Sequence, residues 1–181
     1  DCAVMDNNVS FRVHKDELAD AAAWVARSLP TKSTQPVLRA VVITADDNGL
    51  EFAGFDYEVS TRVRIGAEVN DPGRVAVAGK LLADIVGTMP NDAIEVSTDS
   101  KVMTLKARSS RFELPLIALD DYPQLPHLPE VTGRISPAAL TGAVTQVASA
   151  AGRDDTLPML TGIHVEIDGE NVTLTATDRF R

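Results

Sequence analysis

The side chains that could do chemistry are few, and their spacing argues against a catalytic centre. His14, His127 and His164 are scattered with no second ligand at the separations a metal site needs, so neither a metal nor a cofactor is expected. Ala78-Gly79-Lys80 resembles the end of a phosphate-binding loop. It lacks the upstream glycine and the following Ser or Thr that such a loop uses to cradle phosphate and magnesium. The acidic pairs Asp46/Asp47, Asp120/Asp121 and Asp154/Asp155 fall in turn-forming stretches, where Asp stabilises the backbone through its own carboxylate. The best hydrolase that can be assembled is Asp154, Asp155 and His164, and nothing positions a nucleophile or an oxyanion donor beside them. Cys2 is the single cysteine, so no disulfide or thiolate cluster can form within the chain. The sequons Asn8-Val9-Ser10 and Asn171-Val172-Thr173 match a pattern common by chance. No enzyme is expected.

The elements that position these residues follow from the hydrophobic period. Val9 to Val13 alternates as a short strand, after which Leu18, Ala21, Ala22, Val25 and Ala26 fall on one face of a helix over Lys15–Ser28. Asp16 and Glu17 in its first turn and Arg27 in its last suit the helix dipole. Past the break Leu29–Pro36, strands are predicted at Val37–Ala45 and Leu50–Phe55, joined by a turn at Asn48-Gly49. Strands follow at Glu58–Val69 and Arg74–Val77, then a helix at Gly79–Thr88, then strands at Ala93–Thr98, Val102–Ala107 and Arg111–Leu116. Residues 120–130 contain Pro123, Pro126 and Pro129, which removes them from any central strand or helix and marks an interdomain linker.

Length and composition set the scale. The 181 residues allow one full domain and a remainder, and a hydrophobic fraction of 44% is enough for a real core. The net charge of -9 argues against a protein whose whole surface binds nucleic acid, while leaving room for a small basic face. No run of apolar residues is long enough to span a membrane, and the first residues do not read as a signal peptide, so a cytoplasmic protein without a membrane role is expected.

The sequence also repeats itself. Shifted by 122 residues, Val9–Asp56 lies on Val131–Asp178 without a gap, with eleven identities in 48 pairs. They include Leu18/Leu140, Val25/Val147, Pro36/Pro158, Leu38/Leu160, Asp46/Asp168 and Asp56/Asp178. Helix face, proline break, first strand, acidic turn and second strand all stay in register, which two copies of one fold explain best. The expected organisation is a disordered tail over 1–8, a domain over 9–119, the linker over 120–130, and a second copy over 131–181 that stops early and leaves an unpaired sheet edge.

The order of helix, Thr34-x-Pro36-x-Leu38, hairpin and repeat is one half of a recognisable pattern. Arg111-Phe112-Glu113-Leu114-Pro115, Asp121-Tyr122-Pro123 and the closing Thr175-Ala176-Thr177-Asp178 supply the rest. Together they resemble the bacterial DNA sliding clamp, the beta subunit of DNA polymerase III. The resemblance implies an α+β clamp fold, a repeated domain of two helices packed on antiparallel sheets. It implies a homodimeric ring around double-stranded DNA, serving as a processivity factor for the replicative polymerase and loaded by a clamp loader. A sliding ring would hold phosphates loosely rather than read bases. On that reading Lys15, Arg27, Lys32, Lys80 and Arg153 face DNA. The resemblance also implies a client-peptide cleft whose first wall is Leu160, Thr177, Asp178, Arg179, Phe180 and Arg181, and a dimer interface containing Lys80, Arg111, Phe112 and Leu114. The chain departs from the family in having Arg179 and Phe180 where Gly and His are commoner, and in an uncharged helix over Pro137–Ala150. The alternative from another functional class is a repeat-built protein-binding scaffold with no DNA role.

Overall fold

A computed structural model describes residues 8–32 and 35–181, so Cys2, Thr34 and nearly all of the expected tail lie outside the described residues. The chain divides into two units, 1–127 and 128–181.

In the first unit, β1 (Ser10–His14) leads directly into α1 (Lys15–Ser28). A 3-10 turn over Pro36–Arg39 follows, then β2 (Ala40–Asp46), β3 (Gly49–Phe55), β4 (Ser60–Ile65), β5 (Glu68–Asp71) and β6 (Gly73–Ala78). After α2 (Gly79–Thr88) come β7 (Ala93–Thr98), β8 (Val102–Ala107) and β9 (Ser110–Pro115). The strands form two antiparallel sheets ordered β5-β1-β7-β8-β9 and β4-β3-β2-β6. A single bridge between Val77 and Leu116 brings their β6 and β9 sides together.

The helices form where the sequence favours them. His14 caps α1 by accepting the Asp16 N–H at 3.4 Å, and Leu18, Ala21, Ala22, Val25 and Ala26 turn inward. Gly79 opens α2 because the Leu29 side chain already fills the place where a Cβ would stand. One core joins both helices to both sheets and includes Phe11, Leu18, Ile43, Phe52, Leu82, Ile94, Leu105 and Leu114. Each such side chain contributes roughly 1.5–3 kcal/mol relative to its exposed state.

Several boundaries differ from the sequence expectation for identifiable reasons. The strand expected over Glu58–Val69 is two strands, because the chain leaves β3 after Ile65 and joins β1 from Glu68. Val37–Arg39 is not strand, since Pro36 starts a 3-10 turn that buries Leu38. The expected linker over 120–130 is held to the first unit as far as Pro126. Ile117, Leu119 and Tyr122 pack on Ala40, Val42 and Ala76, and Arg62 Nη2 donates to the Pro126 carbonyl at 2.6 Å.

The second unit contains α3 (Pro137–Ala148), a 3-10 turn over Pro158–Leu160, β10 (His164–Asp168) and β11 (Asn171–Thr175). Ser136 Oγ caps α3 by accepting the Ala139 N–H at 3.2 Å. The two strands pair as an antiparallel hairpin, and no residue over 128–181 is fully buried. The starts of α3, of its 3-10 turn and of β11 each lie 122 residues after those of α1, the first 3-10 turn and β3. The offset read from the sequence is therefore also the offset between structural elements.

Candidate functional site

The second unit carries a groove of about 490 Å3 where the end of α3, the segment after it and the C-terminal turn meet. Leu160, Asp178, Arg179, Phe180 and Arg181, all expected in a cleft, line it, together with Ala148, Ala151, Leu157 and Arg153. Arg153 was expected among the DNA-facing cations, and its place is on this groove. Gly152 brings the two sides close: its N–H donates to the Leu160 carbonyl at 2.7 Å, and a Cβ there would stand 3.2 Å from that oxygen.

The turn over Thr177–Arg181 is built by two side chains. Asp178 Oδ1 accepts the Phe180 N–H at 3.0 Å, and Asp178 Oδ2 accepts from Arg181 Nε at 3.1 Å. The Phe180 amide first, and then Arg181, hold the Asp178 carboxyl below the usual carboxylate range. Thr177 is not on the groove wall. Its hydroxyl accepts the Arg179 N–H at 3.2 Å and donates to the Arg181 carbonyl at 2.7 Å, which closes the turn. Arg179 is held at φ 79°, in the left-handed region that favours glycine.

The helical face of the first unit is mixed in charge. Arg27, Lys32 and Lys80 are exposed. Lys15 is not freely presented: its side chain is 19% exposed and its Nζ lies 3.9 Å from Asp16. The open side of α1 also carries Asp16, Glu17, Asp20 and the half-exposed Trp24. Helical periodicity identifies which residues face outward, but it could not show that Lys15 folds back toward its neighbour.

Among the described residues strand β9 pairs with β8 alone, which leaves its other edge open. Arg111 is engaged with Glu113 at 2.6 Å on the exposed face, and Phe112 is partly buried against the core. Leu114 is corrected here: it is 0% exposed, so it supports β9 from inside and has no surface to offer a partner. The family resemblance grouped Phe112 with Leu114; their burial differs, Leu114 being enclosed by the core and Phe112 only partly covered.

No group of three or more His, Cys, Asp or Glu residues is arranged to hold a metal among the described residues. Comparison with known proteins accounts for nearly the whole chain. Residues 9–126 match the DNA polymerase III beta subunit, N-terminal domain, and residues 134–181 match its central domain. The chain belongs to the DNA polymerase III beta-subunit family.

The beta sliding clamp of Streptomyces coelicolor is 49% identical over 96% of this chain, and that of Micrococcus luteus 45% identical over 96%. The chain spans 46% and 56% of those proteins. Among solved structures, the sliding clamp of Pseudomonas aeruginosa bound to griselimycin superposes with a TM-score of 0.83 at 26% identity, covering 95% of this chain and 47% of that one. The Bacillus subtilis clamp, at 24% identity and a TM-score of 0.84 over 95% of this chain and 48% of its own, shares the fold. The family's α+β clamp fold is thus the fold of this chain. No helix is long and apolar enough to cross a membrane among the described residues.

Proposed function

We propose that this chain is the N-terminal part of a ring-forming sliding clamp, a non-catalytic cytoplasmic processivity factor. The ring encircles duplex DNA and tethers the replicative polymerase and other clients during replication. The observation that carries the reading is the duplication at an offset of 122 residues, seen in both sequence and element order, within a chain belonging to the beta-subunit family. A duplicated domain with an open strand edge suits assembly into a closed ring, since closure is one way to satisfy such an edge.

The residue roles follow from that arrangement. Arg27, Lys32 and Lys80 hold the DNA backbone without reading bases, and the exposed acids of α1 keep that hold weak enough for sliding. The open edge of β9, which carries Arg111 and Phe112, meets a second subunit, and the family resemblance adds Lys80 to that interface. The groove framed by Leu160 and Asp178–Arg181 receives an apolar client peptide.

The test uses the full-length product of the reading frame, loaded onto nicked circular DNA by its clamp loader. Retention on circles and loss when the circle is cut is the expected result, because a topological link needs no tight contact. Retention that is indifferent to cutting would overturn the ring and leave the protein-binding scaffold as the better reading.

A further inference from the structure

We propose that a groove between α1 and β4 in the first unit binds an arginine side chain presented by an apolar stretch of a partner protein. The groove has a volume of about 400 Å3 and is lined by Glu17, Asp20, Ala21 and Trp24 from α1 and by Val63 and Ile65 from β4. Ala21, Val63 and Ile65 give it an apolar floor, Glu17 and Asp20 are exposed on it, and no cation lines it. Trp24, the single tryptophan of the chain, is 45% exposed there.

The charge of the groove is not cancelled by its surroundings. Neither Glu17 nor Asp20 has an ion pair or hydrogen bond among the described residues. Arg64 lies between Val63 and Ile65 in sequence, but it is bound to Asp46 at 2.7 Å and stands 3.6 Å from Glu51. Lys15 lies 3.9 Å from Asp16. Arg12 and His14 border Glu17 on its far side. In the sheet Arg12 stands directly opposite Glu68 on β5 and Glu95 on β7, and His14 Nδ1 accepts the Asp16 N–H. Arg27 is turned to the Ala23 carbonyl, two helical turns beyond Asp20. A phosphate is repelled by such a groove, so DNA is not its occupant. A guanidinium satisfies all three walls: it is weakly hydrated, it stacks on an indole, it pairs with carboxylates through its fork of N–H groups, and its methylenes cover an apolar floor.

The fold itself does not ask for these side chains. The dipole of α1 accounts for an acid in the first turn, and so for Glu17. It does not account for Asp20, or for a half-exposed indole one turn further on. The second copy has Ala139, Gly142 and Gln146 at the three equivalent positions, and α3 forms there all the same.

The test uses the full-length product, free of DNA and labelled with 5-fluorotryptophan, so its outcome does not depend on whether a ring loads. The fluorine resonance of Trp24 is the one missing from Trp24→Phe. The probes are acetyl-Leu-Arg-Leu-amide and the same peptide with citrulline, which keeps the shape of arginine and removes its charge. The arginine peptide should shift the Trp24 resonance saturably and bind at least about fivefold more tightly than the citrulline peptide. In a Glu17→Gln, Asp20→Asn double variant, with folding confirmed by its thermal melt, that ratio should fall to within about twofold. No shift with the arginine peptide, equal affinity for the citrulline peptide, or a ratio that survives in the double variant would overturn the proposal. So would a Trp24 resonance that responds to duplex DNA and not to the peptide.

Discussion

Tyr57 and Arg179 stand 122 residues apart and share one left-handed backbone conformation, at φ 73° and 79°. In each case the preceding aspartate makes the turn: Asp56 accepts the Glu58 N–H and Asp178 the Phe180 N–H, both at 3.0 Å. The turn is therefore a property of the repeated fold, fixed by an Asp that both copies keep. What it displays is not repeated. The first copy presents an aromatic ring lying 5.5 Å from that of Phe55, and the second presents a guanidinium on a groove.

The carboxylates that tie turns together predict how stability depends on pH. Arg64 is the main cause that lowers Asp46, Arg108 the main cause for Asp92, and the Lys101 and Val102 amides for Asp99. A folded-state pKa below the unfolded value means that the stabilisation is complete above the unfolded value and is lost as pH falls through the folded one. The urea midpoint should therefore hold from neutral pH to about pH 5 and fall below about pH 4. Asp46→Asn should flatten part of that fall, and parallel curves for the two proteins would show that the Asp46–Arg64 pair contributes none of it.

Leu114 and Phe112 separate the core from the proposed interface. Leu114→Ala leaves a cavity beneath β9 and should cost about 2–5 kcal/mol of domain stability in denaturant titrations. Phe112→Ser removes a partly exposed side chain at the open edge and should weaken subunit association measured by analytical ultracentrifugation more than it lowers stability. If Leu114→Ala weakened the proposed subunit association without lowering stability, the assignment of Leu114 to the core would be wrong.

Two glycines make a paired test of the β-layer. Gly49 sits at φ 109°, and a Cβ there would run into the Ile65 carbonyl of the neighbouring strand, whereas Gly66 has open space around it. Gly49→Ala should destabilise the fold by more than about 1 kcal/mol, and Gly66→Ala should stay within about 0.5 kcal/mol of the parent. Equal effects in a thermal melt would count against the tight β3–β4 approach.

Much of this arrangement was legible in the chain because local signals agreed with tertiary ones. The stripe from Leu18 to Ala26, the Asn48-Gly49 turn and the register of Leu38 with Leu160 each name an element that the structure contains. What was not legible depended on partners distant in sequence. The break between β4 and β5 arises because Ile65 pairs with Leu50 while Glu68 pairs with Arg12, and no local signal distinguishes those choices. The groove was half visible: the closing Thr175–Asp178 motif marked its place, and the family resemblance supplied Leu160 and Asp178–Arg181. Ala151 and Leu157 became wall residues through the close approach of Gly152 to Leu160, a contact without a periodic signature.

The cations of the helical face yield a test that separates exposure from sequence position. Lys32 and Lys80 are exposed, whereas Lys15 is largely covered and lies near Asp16. If the first two touch phosphates, Lys32→Glu and Lys80→Glu should each shorten retention on circular DNA at moderate salt. Each lost contact should also reduce the slope of log affinity against log salt by about 1. Lys15→Ala should leave that slope within about 0.3 of the parent, since a covered lysine releases few counterions. The comparison is made on full-length rings with matched loading, so a loss of ring closure registers as failure to load and a loss of phosphate contact as a changed slope. An unchanged slope in both charge reversals would remove Lys32 and Lys80 from the DNA face, and a large change in Lys15→Ala would place that lysine back on it.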